Sequence, residues 1–173
     1  MANVPINNLR VVGIGEWQVS RNPGEMLRTY GLGSCVALIL NHSLTKTAAL
    51  AHILLPDSVH CPPGREKGVG YYADTAVPAM IREFFGVAGI LNAQKTGVVA
   101  KMAGGATVGS SGRDSLFQVG RRNVEAVIRL LKQHHLPLVN QDIGGAVSRT
   151  VSITIDSGEV VVLQAPGRKE LRL

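Results

Sequence analysis

A cysteine and a histidine lie in consecutive apolar segments of this chain and could act together on a substrate. Cys35 ends the segment TYGLGSC (29–35) and opens an apolar run, and His52 lies in the segment AHILLP (51–56). A histidine that reaches a cysteine can hold it as the thiolate, which is the nucleophilic form. Glycines before the cysteine let backbone N–H groups turn toward an atom reacting at the sulfur. The pattern predicts acyl-transfer chemistry with a cysteine nucleophile.

Each of these residues also has an ordinary structural interpretation. A cysteine in an apolar run, taken alone, is more often an inert buried thiol. A histidine in a strand is more often a core residue whose hydrogen bonds are satisfied. Thr29, six residues before Cys35, is by itself typical of a loop or a helix cap. Taken one by one, the residues leave both interpretations open.

A predicted hairpin would bring Cys35 and His52 together. Their two apolar runs are joined by a polar connection of hairpin length. In the most symmetric register Asn41 pairs with Ala48, and Ala37 then lies opposite His52. Alternate residues of a strand share a face, so the cysteine and the histidine become diagonal neighbours with Cα atoms about 7–8 Å apart. A slip of one residue would place them on opposite faces.

Length and composition limit the class of protein. The chain has 173 residues, of which 45% are hydrophobic and 17% charged, which is typical of one soluble globular domain with a sizeable core. No apolar run approaches the ~20 residues of a membrane span, and no signal peptide is evident, so we expect a cytoplasmic protein. Two cysteines, Cys35 and Cys61, make no disulfide framework. No motif requires a metal or a cofactor, and we expect neither.

The chain is basic, with a net charge of +6 from 18 basic and 12 acidic residues. Aromatic residues make up only 4% of the chain, which is too few for a platform that stacks single-stranded nucleic acid. We therefore expect an acidic protein partner rather than a nucleic acid. Arg121, Arg122 and Asn123 are interpreted either as contacts for that partner or as the solvated start of a helix.

Hydrophobic periodicity predicts a mixed α/β order in a single domain, 1–173. Besides the two hairpin runs, the expected strands are an entry strand within 1–20, 97–102, one starting at 138, 147–155 and 159–164. Helices are expected over 71–85, with a kink or interruption at Pro78, and over 123–133. The ends, 1–9 and 166–173, are expected to be flexible.

Several segments, taken in order, resemble the CheD family of bacterial chemotaxis proteins. The resemblance covers about residues 10–163, and no single segment is specific. The segments that carry it are TYGLGSCV (29–36), AHILLP (51–56), YAD (72–74), KMAGGA (101–106), VGRRN (119–123) and DIGG (142–145), followed by Arg149. Their common order and spacing make the resemblance strong.

The resemblance implies a fold, an activity and partners. The implied fold is a single-domain mixed α/β sandwich, similar around the site to the bacterial cytotoxic necrotizing factor deamidases. The implied activity is deamidation of glutamine side chains on methyl-accepting chemoreceptors. The family nucleophile falls on Cys35, its histidine on His52, and a further site threonine on Thr29. Implied partners are the cytoplasmic helices of the receptors and a CheC-type phosphatase.

Deamidation by these residues would be acyl transfer from nitrogen to water. The Cys35 thiolate would attack the amide carbon, and backbone N–H groups at Gly33 and Ser34 would stabilise the oxyanion. His52 would carry a proton to the leaving ammonia and then activate water, while Thr29 would orient the imidazole. Two alternatives are an adaptor that binds and regulates CheC without turnover, and a methylesterase acting on receptor glutamate esters.

Overall fold

The two apolar runs of the predicted hairpin form β4 (Val36–His42) and β5 (Thr47–Ile53), and every residue of both strands is buried. The computed structural model describes the chain over 8–59, 67–90, 97–107 and 118–173. Strands covered on both faces need apolar residues at successive positions rather than in alternation. The continuous runs are therefore explained by layers of structure on either side of the hairpin.

The described residues contain eight further strands and two α-helices. The strands are β1 (Asn8–Val11), β2 (Trp17–Ser20), β3 (Glu25–Leu32), β6 (Val99–Gly104), β7 (Leu138–Ile143), β8 (Ser148–Thr154), β9 (Val160–Ala165) and β10 (Lys169–Arg172), and the helices are α1 (Ala73–Ala88) and α2 (Val119–Gln133). Sheet A has the strand order β1-β3-β8-β9-β10, and sheet B has the order β2-β5-β4-β6-β7.

Sheet B is the middle layer of the molecule. One of its faces packs on sheet A through a cluster that includes Leu27, Ile39 and Val151. Its other face packs on α1 and α2 through a second cluster that includes Leu38 and Phe84. Adjacent residues of β4 enter different clusters because successive side chains of a strand point to opposite faces. The predicted single-domain mixed α/β sandwich is confirmed.

The predicted hairpin register is also confirmed. Asn41 pairs with Ala48, and Ala37 pairs with His52. The last pair toward the candidate site is Val36 with Ile53, so Cys35 lies just before β4 begins. Side chains opposite each other in an antiparallel pair share a face. His52 therefore lies on the face of sheet B that meets sheet A.

Helix α1 differs from its prediction at Pro78. The helix runs without interruption from Ala73 to Ala88, although a proline in a helix interior costs about 3 kcal/mol. Val77, Met80 and Phe84 are fully buried against sheet B. Burying a large apolar side chain contributes about 1.5–3 kcal/mol. Packing of this face therefore outweighs the hydrogen bond lost at the proline.

Other boundaries also differ from the sequence expectations. The single entry strand is two strands, β1 and β2, in different sheets. Helix α2 begins at Val119 rather than at Asn123. The C-terminal end, expected to be flexible, instead forms β10 against β9, and the carbonyl of Leu173 accepts a hydrogen bond from Lys101 Nζ at 2.7 Å. Of the other end, 1–7 lie outside the described residues and 8–9 begin β1.

Candidate active site

Thr29 lies in β3, a strand that the sequence analysis does not predict. Glu25, Leu27 and Thr29 alternate with more exposed neighbours and are buried on the face toward sheet B. Alternation with a period of two was the available signal. It is hidden because polar residues occupy two of the three inward positions. The strand carries Thr29, which is 0% exposed, to the interface between the sheets.

A chain of hydrogen bonds joins Val12, Thr29 and His52. The hydroxyl of Thr29 donates to the carbonyl of Val12 at 2.8 Å, and its Oγ1 lies 2.7 Å from His52 Nδ1. A hydroxyl has one proton to donate. With that proton on the main-chain carbonyl, Nδ1 carries the ring proton and donates it to Oγ1. The other ring nitrogen, Nε2, is then the one with a free lone pair.

The backbone of His52 is fixed by residues that sequence reasoning missed. Its N–H donates to the carbonyl of Glu16 at 2.9 Å, and its carbonyl accepts from the N–H of Gly15 at 2.9 Å. These residues belong to the connection between β1 and β2, which also supplies the Val12 carbonyl. Nothing in the sequence pattern of this connection indicates a role at the site. The connection holds the histidine from both its backbone and, through Thr29, its side chain.

The imidazole of His52 is neutral in the folded protein near pH 7. Burial lowers the pKa of His52 to about 4, because the charged form would lose its hydration. The residue is 1% exposed, and Nε2 is buried with no hydrogen-bond partner among the described residues. The ring therefore presents an unprotonated, unengaged nitrogen, which is the form required of a general base.

Cys35 lies on the same face of sheet B as His52. It precedes Ala37 by two residues and packs with it in the cluster between the two sheets. Burial raises the pKa of the Cys35 thiol, and a hydrogen bond from its own backbone N–H offsets part of that increase. Both shifts favour a thiol and a neutral imidazole in the resting site.

The turn before Cys35 is held through its carbonyl groups. The carbonyl of Gly33 accepts from the N–H of Ala106 at 2.8 Å, and that of Cys35 accepts from the N–H of Gly105 at 2.7 Å. Within the part of the chain that the structure describes, no carbonyl accepts a hydrogen bond from the backbone N–H of Ser34 or Cys35. The N–H of Cys35 is directed at its own sulfur, so Ser34 carries the donor of this turn that an oxyanion could use.

Two glycines at the end of β6 allow the close approach that holds this turn. Gly104 has φ +116°, and a Cβ there would overlap the carbonyl oxygen of Cys35. Gly105 has φ +65°, and a Cβ there would overlap the side chain of Val124. Both φ values lie in the region that favours glycine. The pair therefore permits close packing of β6 against the Cys35 turn and against α2.

Asn123 is placed differently from its sequence interpretation. Arg121 and Arg122 are exposed, as expected for a partner contact or a solvated helix start, but Asn123 is 0% exposed. Its Nδ2 donates to the carbonyls of Ser34 and Leu54, each at 2.9 Å. A lone asparagine near a helix start gives no sequence signal for such a role, so it was missed.

A buried ion pair joins the two sheets beside the turn. Arg149 of β8 contacts Asp142 of β7 at 2.8 Å, and the arginine side chain is 2% exposed. Gln164 donates to the same carboxylate at 2.9 Å. The hydrogen bond from Arg149 is the main reason that the pKa of Asp142 is lowered. Because Arg149 pairs with Leu32, this contact fixes sheet A close to the turn that carries the cysteine.

The described residues provide no cluster of three or more His, Cys, Asp or Glu side chains that could hold a metal ion. Cys61 lies outside the described residues. Over the described ranges, neither helix has the length and apolar character needed to cross a membrane.

Comparison with known proteins indicates what this chain is similar to. A family model described as CheD chemotactic sensory transduction matches residues 54–164. A Thermotoga maritima protein named "Chemoreceptor glutamine deamidase CheD" is 38% identical over 164 residues, which cover 95% of this chain and 97% of that protein. A Syntrophotalea carbinolica protein named "Probable chemoreceptor glutamine deamidase CheD" is 39% identical over 94% of this chain and 98% of its own length.

The matched ranges bear on the candidate residues in different ways. The family model begins at residue 54, after Thr29, Cys35 and His52. The alignments to the two relatives leave out too little of the chain to miss these three residues from either end. The alignments to these relatives therefore extend over the positions of the candidate site.

Proposed function

This chain belongs to the CheD family, and from that premise we propose that it is a protein-glutamine deamidase acting on chemoreceptors. The observation that carries the proposal is the hydrogen-bond chain from Val12 through Thr29 to His52. It leaves Nε2 as a free base on the face of the sheet that also carries Cys35. Relatives named as chemoreceptor glutamine deamidases support the substrate class.

The first chemical step is proton transfer followed by attack. His52 Nε2 takes the proton from the Cys35 thiol, which becomes a thiolate as the imidazole becomes imidazolium. The thiolate then forms an S–C bond to the side-chain amide carbon of glutamine, and the carbonyl oxygen becomes an oxyanion. Backbone N–H groups of the turn, expected at Gly33 and Ser34, would bind it, and losing one such donor typically lowers the rate ~10²–10³-fold.

The second step releases ammonia and then glutamate. The imidazolium of His52 gives its proton to the amide nitrogen as the C–N bond breaks, which leaves a thioester on Cys35. Neutral His52 then removes a proton from water, and the hydroxide adds to the thioester carbon. The S–C bond breaks, the sulfur regains the proton, and the glutamine side chain leaves as a carboxylic acid that ionises to glutamate.

The electrostatics of the site suit an uncharged substrate group. Burial disfavours the charged form of both Cys35 and His52, so the resting pair is neutral and a neutral amide can enter. A negative charge on the sulfur and a positive charge on the imidazole form together, only when the proton passes from Cys35 to His52. We therefore expect turnover without a thiolate that is detectable before substrate binds.

A mass measurement tests the proposal. Cytoplasmic fragments of chemoreceptors are incubated with the wild type and with Cys35→Ala, and modified peptides are mapped by mass spectrometry. Hydrolysis of an amide to an acid raises the mass by about one unit per glutamine. We expect this increase, with ammonia release, for the wild type alone. Unchanged fragments with folded wild-type protein would overturn the deamidase proposal, and methanol release from methylated fragments would identify the esterase alternative.

We also propose the partners and location that the family resemblance implies. These are the cytoplasmic helices of methyl-accepting chemoreceptors, a CheC-type phosphatase, and the cytoplasm. The net charge of +6 supports docking on an acidic helical surface. Titration of labelled CheC with Cys35→Ala tests the adaptor role separately from catalysis, because this variant keeps the surface and lacks the nucleophile.

A further inference from the structure

We propose that Asn123 is a positioning residue that sets the Cys35 turn against the strand carrying His52. This inference rests on the proposed function, because it assigns Asn123 to the same acyl-transfer site. The residue touches neither the substrate nor the reacting atoms in the mechanism above. It acts through the backbone at two points. One is in the turn just before Cys35, and the other is just past the end of β5, the strand that carries His52.

The position of Asn123 follows from where the hairpin ladder ends. The last β4–β5 pair is Val36 with Ile53, and in this register Cys35 lies opposite Leu54. Beyond the last pair, the two chains must diverge or be held by another group. Asn123 provides that group, since its Nδ2 donates to the carbonyl of Ser34 and to the carbonyl of Leu54 at 2.9 Å each.

The chemistry of a carboxamide suits this task. An NH₂ group has two protons to donate, and the two carbonyls use both. Oδ1 of Asn123 is buried and has no hydrogen-bond partner among the described residues. The side chain therefore acts at this place as a double donor. An aspartate of nearly the same shape would present an oxygen to both carbonyls and would repel them.

The consequence for catalysis is a fixed distance between sulfur and base. One bonded carbonyl belongs to the residue immediately before Cys35, and the other to the residue two positions after His52. The backbone hydrogen bonds of His52 are to Gly15 and Glu16, in the connection between β1 and β2, and neither of them reaches the Cys35 turn. Without the Asn123 amide, the turn can move relative to β5, and proton transfer from thiol to Nε2 becomes less efficient.

The test compares two substitutions of Asn123 with a control on the same helix. Asn123→Asp keeps the side-chain volume and removes the double donor, and Asn123→Ala removes the side chain. Leu131→Ala is the matched control, because Leu131 is buried in α2 at 1% exposure and lies two turns from the site. Each variant is assayed below its own unfolding transition, so loss of fold is separated from loss of position.

Two measurements are made on each variant. The first is the rate of alkylation of Cys35 by iodoacetamide as a function of pH, with Cys35→Ala subtracted to remove the contribution of Cys61. The second is the split of kcat and KM in deamidation of a receptor fragment. We expect both Asn123 variants to alkylate about 10-fold more slowly near pH 7 and to lower kcat about 10–100-fold with KM little changed. The control should retain the wild-type pH profile.

The outcomes distinguish this inference from the proposed function. Alkylation and kcat in Asn123→Asp equal to those of the control, in folded protein, would overturn the positioning role. Alkylation needs no receptor, so the inference can be judged even where the wild type fails to deamidate any fragment. A rise in KM alone, with an unchanged kcat and an unchanged alkylation profile, would also contradict the positioning role, because such a change indicates weaker substrate binding.

Discussion

The two ends of the β4–β5 hairpin each carry a buried histidine bonded to a threonine. At the site end, His52 Nδ1 lies 2.7 Å from Thr29 Oγ1. At the turn end, His42 Nδ1 lies 2.8 Å from Thr45 Oγ1. Nε2 of both rings is buried without a hydrogen-bond partner in the described residues. Judged by these contacts alone, either histidine could be a base.

The two pairs differ in how the threonine proton is used. The hydroxyl of Thr29 donates to the main-chain carbonyl of Val12, which can only accept, so the tautomer of the site histidine is set. Oγ1 of Thr45 lies 2.9 Å from Oγ1 of Thr47, and either hydroxyl can be the donor. The main-chain acceptor at this end, the carbonyl of Thr45, lies 3.4 Å from Thr47 Oγ1, a longer contact than the one at Val12, so the tautomer of His42 is set less firmly than that of His52.

The two histidines also differ in whether Cys35 lies on the same face of the sheet. His42 is on β4 an odd number of residues from Cys35, so the two side chains point to opposite faces. His52 pairs with Ala37 and shares the face of Cys35. A His–Thr pair becomes a candidate catalytic base only where the register also brings a nucleophile to the same side.

The largest expected effect separates the two histidines. His52→Gln removes the base, and we expect kcat for receptor deamidation to fall about 10²–10⁴-fold, as for loss of general acid–base catalysis. His42→Gln changes a residue on the other face, and kcat should stay within about two-fold of wild type under the same principle. Ammonia release is the measurement. Equal losses in the two variants would contradict the assignment of the base.

Stability at acid pH should also depend on His52. The folded protein keeps this ring neutral down to about pH 4, whereas the unfolded chain takes up the proton near pH 6.5. Between these values the unfolded state binds more protons, so the free energy of unfolding falls as pH is lowered. The loss attributable to this group is about 3 kcal/mol across the window.

Urea unfolding of wild type and His52→Gln at several pH values between 7.5 and 4 measures this contribution. The wild type should lose stability more steeply than the variant, and the difference should grow from about pH 6.5 downward. Parallel curves for the two proteins would mean that the histidine is not held neutral by burial. Asp142, whose pKa is lowered, is common to both proteins and cancels in the difference.

The hairpin could be predicted because its signal is local. Two continuous apolar runs and one polar connection define a register, and parity then fixes which side chains share a face. The predicted juxtaposition of Cys35 and His52 follows from that parity. The roles of Cys35, His52 and Thr29 remain predictions, because neither the sheet register nor the likeness to relatives measures reactivity.

The rest of the site could not be predicted because its signals are not local. Strand β3 is hidden because Glu25 and Thr29 occupy inward positions, where binary patterning expects apolar residues. Asn123 is close to Ser34 only after α2 packs on the middle sheet. The same applies to β10, whose charged sequence is typical of a frayed tail until an edge of sheet A is there to pair with it.

A smaller effect is expected from the threonine at the site. Thr29→Val keeps the shape and removes the hydroxyl, so His52 loses the acceptor that sets its tautomer. We expect kcat to fall about 10–100-fold, less than for loss of the base itself. Thr29→Ser retains the hydroxyl and should recover most of the activity. If Thr29→Ser and Thr29→Val are equally impaired, the methyl contact rather than the hydrogen bond is what matters.

The smallest effect should come from the threonine at the turn end. Thr45→Val removes the partner of His42 Nδ1, but Thr45 is only half-buried, so water can replace part of the lost bond. We expect the free energy of unfolding to fall by no more than about 1 kcal/mol, with kcat unchanged. Urea unfolding and ammonia release on one preparation measure both. A drop in kcat comparable to that of Thr29→Val would show that the far end of the hairpin controls the register at Cys35, and the two ends would then have to be treated as one coupled unit.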